Sequence, residues 1–208
     1  LMQCRWGTHG DHPIITLSPS SVEETYTLIM EAFTLSERYR TPVIFLMDEM
    51  VGHLRAGVTL PELPEPPRLN CEFYKTAPYR TEPGEYVPHM PPIGYGQRYN
   101  ITGLIHDESG FPTNSNAECE KLLTRLNDKI EENLDDICRS EEYLTEDADV
   151  IIACFGGAAM AAHAAVDMLR AEGIRAGMFR PVTVWPFPED AFKRAASRAD
   201  RLYAAELN

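Results

Sequence analysis

The sequence has no C-x-x-C pair, and its five cysteines, Cys4, Cys71, Cys119, Cys138 and Cys154, are scattered and odd in number. This excludes a paired-cysteine zinc or redox motif and an iron–sulfur cluster carried on these residues, and reads as free thiols in a reducing compartment. No apolar run approaches the roughly 18–20 residues that span a bilayer, and Leu1-Met2-Gln3-Cys4-Arg5-Trp6 has no signal-peptide core. A cytoplasmic location without a membrane partner is therefore expected. Basic residues are few, 19 Lys and Arg against 32 Asp and Glu for a net charge of −13. That balance disfavours nucleic acid, whose phosphates are bound mainly by cations. Neither G-x-G-x-x-G nor G-x-x-x-x-G-K-[ST] is present, nor a G-x-S-x-G elbow. Dinucleotide, P-loop and hydrolase readings have little to rest on, and no self-contained catalytic set is visible.

What is present divides into four stretches of an α/β protein. Residues 1–52 hold a helix announced by Ser18-Pro19-Ser20-Ser21-Val22-Glu23-Glu24, where Ser20 with Glu23 or Ser21 with Glu24 fits a capping box. Tyr26, Ile29, Met30, Phe33 and Tyr39 are the expected apolar face. Val43 to Met47 then reads as a strand buried on both sides, ending at Asp48-Glu49. Residues 53–113 are an extended connector: prolines recur without periodicity, and the aromatics among them predict an arm packed on a surface. Residues 114–147 hold a connector helix with Leu122, Leu126, Ile130, Leu134 and Ile137 on one face. Its charged face, including Lys121, Arg125 and Lys129, is expected in solvent. Residues 148–208 alternate strand and helix over short connections, which predicts a parallel sheet with right-handed crossovers. The first residue is Leu and the last residues stop inside a predicted strand, so both ends are expected to be cuts within a longer chain.

Four local patterns could carry chemistry. Phe155-Gly156-Gly157-Ala158-Ala159 joins a strand to a helix and reads either as tight helix packing or as an anion cradle. Thr8-His9-Gly10-Asp11-His12 holds two histidines and a carboxylate, but lacks the third and fourth ligands of a metal site; a polar loop beside an active site is the alternative. Arg5, next to Trp6 at a predicted strand-to-loop position, reads either as a structural salt bridge or as a bidentate fork for a small carboxylate. Asp48 and Glu49 follow a buried strand, where sites gather in open α/β folds, although a helix cap or a surface pair is the simpler reading.

Three separated segments resemble one family in the right order. Gln3-Cys4-Arg5-Trp6-Gly7-Thr8-His9-Gly10-Asp11-His12-Pro13-Ile14-Ile15, with Pro19 to Glu24 and Tyr39 to Ile44, resembles the later part of the pyrimidine-binding domain in 2-oxoacid:ferredoxin oxidoreductase α chains, most closely the 2-oxoglutarate type. Thr102 to Pro112 is similar to that family's connector. Gly156 to Ala165, Leu169 to Ile174 and Phe179 to Pro188 resemble its transketolase C-terminal-like, three-layer parallel-sheet domain. The resemblance implies oxidative decarboxylation of a 2-oxoacid to an acyl-coenzyme A on thiamine diphosphate, with ferredoxin as electron acceptor. It implies substrate-binding roles for Arg5, which aligns with a carboxylate-gripping arginine, and for Thr8, His9 and Asp11 around it. It also implies a β subunit, with γ or δ subunits possible beside it, thiamine diphosphate and Mg at the β interface, and an iron–sulfur cluster on a partner chain. The family's upstream substrate segment and the glutamate that activates the cofactor are not among these residues, so the 208-residue chain alone is expected to be inactive and to bind no cofactor. Two other readings are a transketolase or 2-oxoacid dehydrogenase β-type chain, and a non-catalytic assembly or scaffold module. The Arg5-to-Asp11 segment favours the ferredoxin family over the first.

Overall fold

A computed structural model describes residues 1–7, 12–62, 77–91, 93–94, 96 and 98–207. The chain builds two sheets. In the first, β1 (Ile15–Leu17) is central, flanked by β2 (Val43–Phe45) in parallel and by β6 (Thr183–Trp185) in antiparallel pairing. Between β1 and β2 runs α2 (Val22–Tyr39), which starts where the capping signal predicts it: the Glu24 amide donates to Ser21 Oγ at 3.1 Å. The Glu24 carboxylate closes the box one residue early, accepting from the Ser20 amide at 2.7 Å and its hydroxyl at 2.9 Å.

The buried stripe of α2 is Leu28, Ala32, Leu35 and Tyr39; of the predicted face only Tyr39 is among them, and Phe33 is 61% exposed. The larger aromatic and sulfur-containing side chains drew the prediction one step around the helix, whereas a small alanine is what fits against the sheet. This stripe packs with Ile15 and Leu17 of β1 and with Ile130 and Ile137. The last two come from α4 (Asn116–Glu131) and α5 (Leu134–Ile137), two helices where the stripe suggested one. Lys129 corrects a second expectation. It is 3% exposed, and its Nζ donates to Thr41 Oγ1 at 2.9 Å beside the Arg40 carbonyl that ends α2. Burial first, and the Arg125 charge second, lower its pKa to about 8.

The described part of the connector up to Ser115 has no strand or helix beyond α3 (Glu49–His53), which begins near its start, and one bridge between His106 and Pro112. It packs through specific contacts: Tyr79 stacks on His106 at 5.5 Å, its hydroxyl donates to the Asn100 carbonyl at 2.6 Å, and Arg125 of α4 donates to the Tyr86 carbonyl.

The second sheet has the order β3-β5-β4-β7, with β4 (Val150–Cys154), β5 (Ala176–Pro181) and β7 (Arg201–Ala205) mutually parallel. Alternation along each strand splits the core between two faces. Ile152 and Met178 meet the alanines of α6 (Ala158–Ala171), while Ile151 and Phe179 meet Phe192 and Ala195 of α7 (Glu189–Ala196) and Phe187 just before it. Helices on both faces make the three-layer arrangement that the family resemblance implies. β3 (Ser140–Tyr143) was not predicted; it adds antiparallel to β5 from within the stretch read as connector.

Candidate functional site

The predicted site begins on a short helix. α1 (Met2–Trp6) carries Arg5, which therefore lies on a helix and not at a strand-to-loop position. No side chain caps α1, so nothing local announces it. A side chain at Gly7 would put its Cβ 2.2 Å from the Gln3 carbonyl oxygen, so glycine is required where the chain leaves this turn. The Arg5 guanidinium carbon sits 4.3 Å from the ring centre of Trp6 and 3.9 Å from that of Trp185. These are the only two tryptophans in the sequence, and both lie against the same cation. A guanidinium stacked on an aromatic face keeps its N–H donors in its own plane, pointing out along its edges. Of the other predicted site residues, Thr8, His9 and Asp11 lie outside the described residues.

Arg5 and Trp185 line two cavities. One, of about 430 Å³, is walled mostly by apolar groups including Met2, Trp6, Phe155, Phe187 and Phe192, and opens at the carboxyl ends of β4 and β7. The other, of about 100 Å³, is lined by His12, Asn127 and Glu131 together with Pro13 and Ile130. Crevices beyond the carboxyl ends of parallel strands are where open α/β sheets bind ligands. Burial pushes the thiols of two cysteines near these walls, Cys154 and Cys138, up to about 11, which disfavours the thiolate form.

The glycine turn before α6 is filled by the protein itself. Asp48 Oδ1 accepts from the Val51 amide at 2.9 Å and caps α3, while Oδ2 accepts from the Gly157 amide. A Cβ at Gly156, whose φ is +59°, or at Gly157 would lie 2.7 or 2.9 Å from that carboxylate. The cap reading of Asp48 holds, and the same carboxylate takes the place an external anion would have in the cradle. Among the described residues no group of three His, Cys, Asp or Glu side chains could hold a metal ion. The described residues thus do not fit a diphosphate with its metal.

A second arginine escaped sequence reasoning. Arg180, on β5, donates through both terminal nitrogens to Glu24 at 2.8 and 2.9 Å and through Nε to Glu141 at 2.7 Å. Glu141 also meets His163 at 2.7 Å, and the His163 ring lies 4.4 Å from Tyr143. Burial raises the Glu24 pKa, but the Arg180 and Ser20 hydrogen bonds outweigh it and hold it below the ordinary carboxylate value. Arg180 is held above its ordinary value by the same carboxylates, against the cost of burial. The signal that could have found it, an apolar strand interrupted by Arg180, is present, but its partners lie 156 and 39 residues away.

The fold defines an α/β class of protein: it matches a solved 2-oxoglutarate:ferredoxin oxidoreductase from Magnetococcus marinus, with 2-oxoglutarate, coenzyme A and succinyl-CoA bound, at a TM-score of 0.81. At 24% identity, over all of this chain and 37% of that one, this is a likeness of fold. The chain belongs to the family described as pyruvate flavodoxin/ferredoxin oxidoreductase, thiamine diphosphate-binding, which matches residues 1–124; residues 148–208 match pyruvate:ferredoxin oxidoreductase core domain II. It is 43% identical to the 2-oxoglutarate synthase subunit KorA of Methanothermobacter marburgensis, over all of this chain and 56% of the relative. It is 32% identical to the ketoisovalerate oxidoreductase subunit VorB of Methanothermobacter thermautotrophicus, over 97% of this chain and 51% of the relative. The chain thus spans about half the length of these curated relatives. Among the described residues no helix is long and apolar enough to cross a membrane.

Proposed function

We propose that this chain is the α-subunit portion of an oxidoreductase that converts a 2-oxoacid, 2-oxoglutarate foremost, and coenzyme A to an acyl-coenzyme A and carbon dioxide. The bond between carboxylate and carbonyl carbon breaks, and its electron pair passes to ferredoxin. Whole-chain identity to a 2-oxoglutarate synthase subunit, higher than to a ketoisovalerate one, carries the choice of substrate.

Arg5 is the group we assign to the substrate carboxylate. The guanidinium's donors lie in one plane, so a carboxylate can approach edge-on in bidentate register, a geometry Lys cannot reproduce. Thr8, His9 and Asp11 follow Arg5 closely in sequence and complete the same pocket in this reading. Thiamine diphosphate supplies the electron sink in the assembled enzyme. We assign the cofactor and its Mg to an interface with a β subunit, and the iron–sulfur cluster to a partner chain.

A branched-chain 2-oxoacid is the second reading, favoured by the apolar lining of the larger cavity beside Arg5. Both are tested by assembling the full-length α chain with its partner subunits and measuring coenzyme A-dependent dye reduction with a panel of 2-oxoacids. The highest kcat/KM is expected for 2-oxoglutarate; a branched-chain acid ahead of it supports the second reading, and no turnover of any 2-oxoacid overturns both.

A further inference from the structure

We infer that Trp185 is a positioning residue for the substrate carboxylate, acting through Arg5; the inference rests on the reading that Arg5 binds that carboxylate. Trp185 lies 180 residues from Arg5 in sequence, yet its indole is the closer of the two faces on the guanidinium, at 3.9 Å against 4.3 Å for the adjacent Trp6. Its placement is built, not incidental. β6 leaves the second sheet after Pro181 and adds to the first, with Trp185 opposite Thr16 and Thr183 opposite Leu17. Thr183 is fully buried, its hydroxyl donates to the Ile137 carbonyl at 2.7 Å, and that hydroxyl accepts from the Arg139 amide at 3.0 Å. The backbone carrying Trp185 is therefore pinned from two sides.

A guanidinium within contact of an aromatic ring is attracted to the ring's face, so each ring narrows the orientations the side chain adopts. Trp6 sits on the same short, uncapped helix as Arg5, so its ring does not tie the arginine to the rest of the fold, whereas the Trp185 ring does. Trp185 supplies the second wall. It also lines both cavities that meet at Arg5, so it stands between the apolar space of about 430 Å³ and the smaller space beside His12, Asn127 and Glu131. The segment 148–208, whose folding core lies elsewhere, thus contributes one side chain to the reading of substrate.

The test is a double-mutant cycle in the assembled enzyme with the full-length α chain, using Arg5→Ala, Trp185→Ala and the pair, with Trp185→Phe as the conservative variant. We expect Trp185→Ala to raise KM for 2-oxoglutarate roughly tenfold, as the loss of a desolvated cation–π contact implies. KM for coenzyme A should stay unchanged, Trp185→Phe should recover most of the loss, and Trp185→Ala should add nothing in the Arg5→Ala background. A Trp185→Ala effect that adds fully to that of Arg5→Ala, or an unchanged KM with only lowered thermal stability, overturns the inference while leaving Arg5 in place. If Trp185→Ala does not fold, a Trp185→Phe enzyme with wild-type KM for 2-oxoglutarate and altered KM for coenzyme A overturns it as well. An Arg5→Ala enzyme with wild-type KM removes the reading beneath it.

Discussion

Two arginines of this chain show how differently the same side chain can be used. At Arg180 the edges are filled: every guanidinium nitrogen donates to a carboxylate of Glu24 or Glu141, and only 5% of the side chain is exposed. At Arg5 the guanidinium carbon lies over two indole rings, those of Trp6 and Trp185. Charge saturation along the edges makes Arg180 a rivet between α2 and the second sheet. The two rings against Arg5 bear on its orientation, which suits the carboxylate-binding role proposed for it. The difference teaches that burial and charge alone do not describe an arginine's surroundings: carboxylates hold Arg180, whereas two tryptophan rings lie against Arg5.

The contrast is most easily broken at the rivet. Replacing Arg180 by Met leaves the part-buried Glu24 without its cation and Glu141 with His163 alone, a loss of about 3 kcal/mol, the low end for a buried pair because both carboxylates keep some exposure. Chemical denaturation of the full-length α chain should show that loss, and an unchanged midpoint would mean the cluster is not a rivet. A milder pair, Arg180→Lys, should recover only part, since Lys cannot span both carboxylates.

Lys129 sharpens the comparison from the other direction, as a buried cation without a carboxylate among its named partners. Its folded pKa of about 8 lies below the ordinary 10.5, so the unfolded chain binds the proton more tightly. The cost of burying the charge is fully present below about pH 8 and is relieved as pH rises towards 10.5; stability should climb across that window. Lys129→Met should abolish the climb, a difference on the order of 2 kcal/mol between wild type and variant. Parallel stability curves for the two proteins from pH 7.5 to roughly 10.5 would refute it.

The smallest effect is expected at Asp48, where the carboxylate binds backbone instead of a cation. Asp48→Ala removes both the α3 cap and the Gly157 contact, costing about 1–2 kcal/mol. It also vacates the glycine turn, so added inorganic phosphate should restore part of the thermal stability in Asp48→Ala and none in wild type. Equal phosphate response in the two proteins would show that the carboxylate does not occupy an anion site.

Local signals made much of this legible. The Ser-Ser-Val-Glu-Glu start of α2, the glycine that follows α6, and the β4-α6-β5-α7-β7 alternation all lie in segments whose neighbours in sequence are their neighbours in space. What escaped depends on distant pairing. β3 reads Ser-Glu-Glu-Tyr, with no apolar run, and is a strand only because it lies along β5. β6 has three residues between Pro181 and Pro186, and it is defined by β1, far away in the chain. Lys129 was assigned to solvent by its charge, yet its aliphatic stem reaches inward to the end of α2. The same limit applies to the site: Arg5 drew attention through its neighbour Trp6, whereas Trp185 is brought to it only by the pairing of β6.

The central claim is that Arg5 reads the substrate carboxylate, and the most direct test is steady-state kinetics of Arg5→Ala in the assembled enzyme. Loss of a charge-assisted bidentate pair should raise KM for 2-oxoglutarate by tenfold or more, leave KM for coenzyme A unchanged, and not be rescued by Arg5→Lys. Unaltered KM and kcat for 2-oxoglutarate would contradict it.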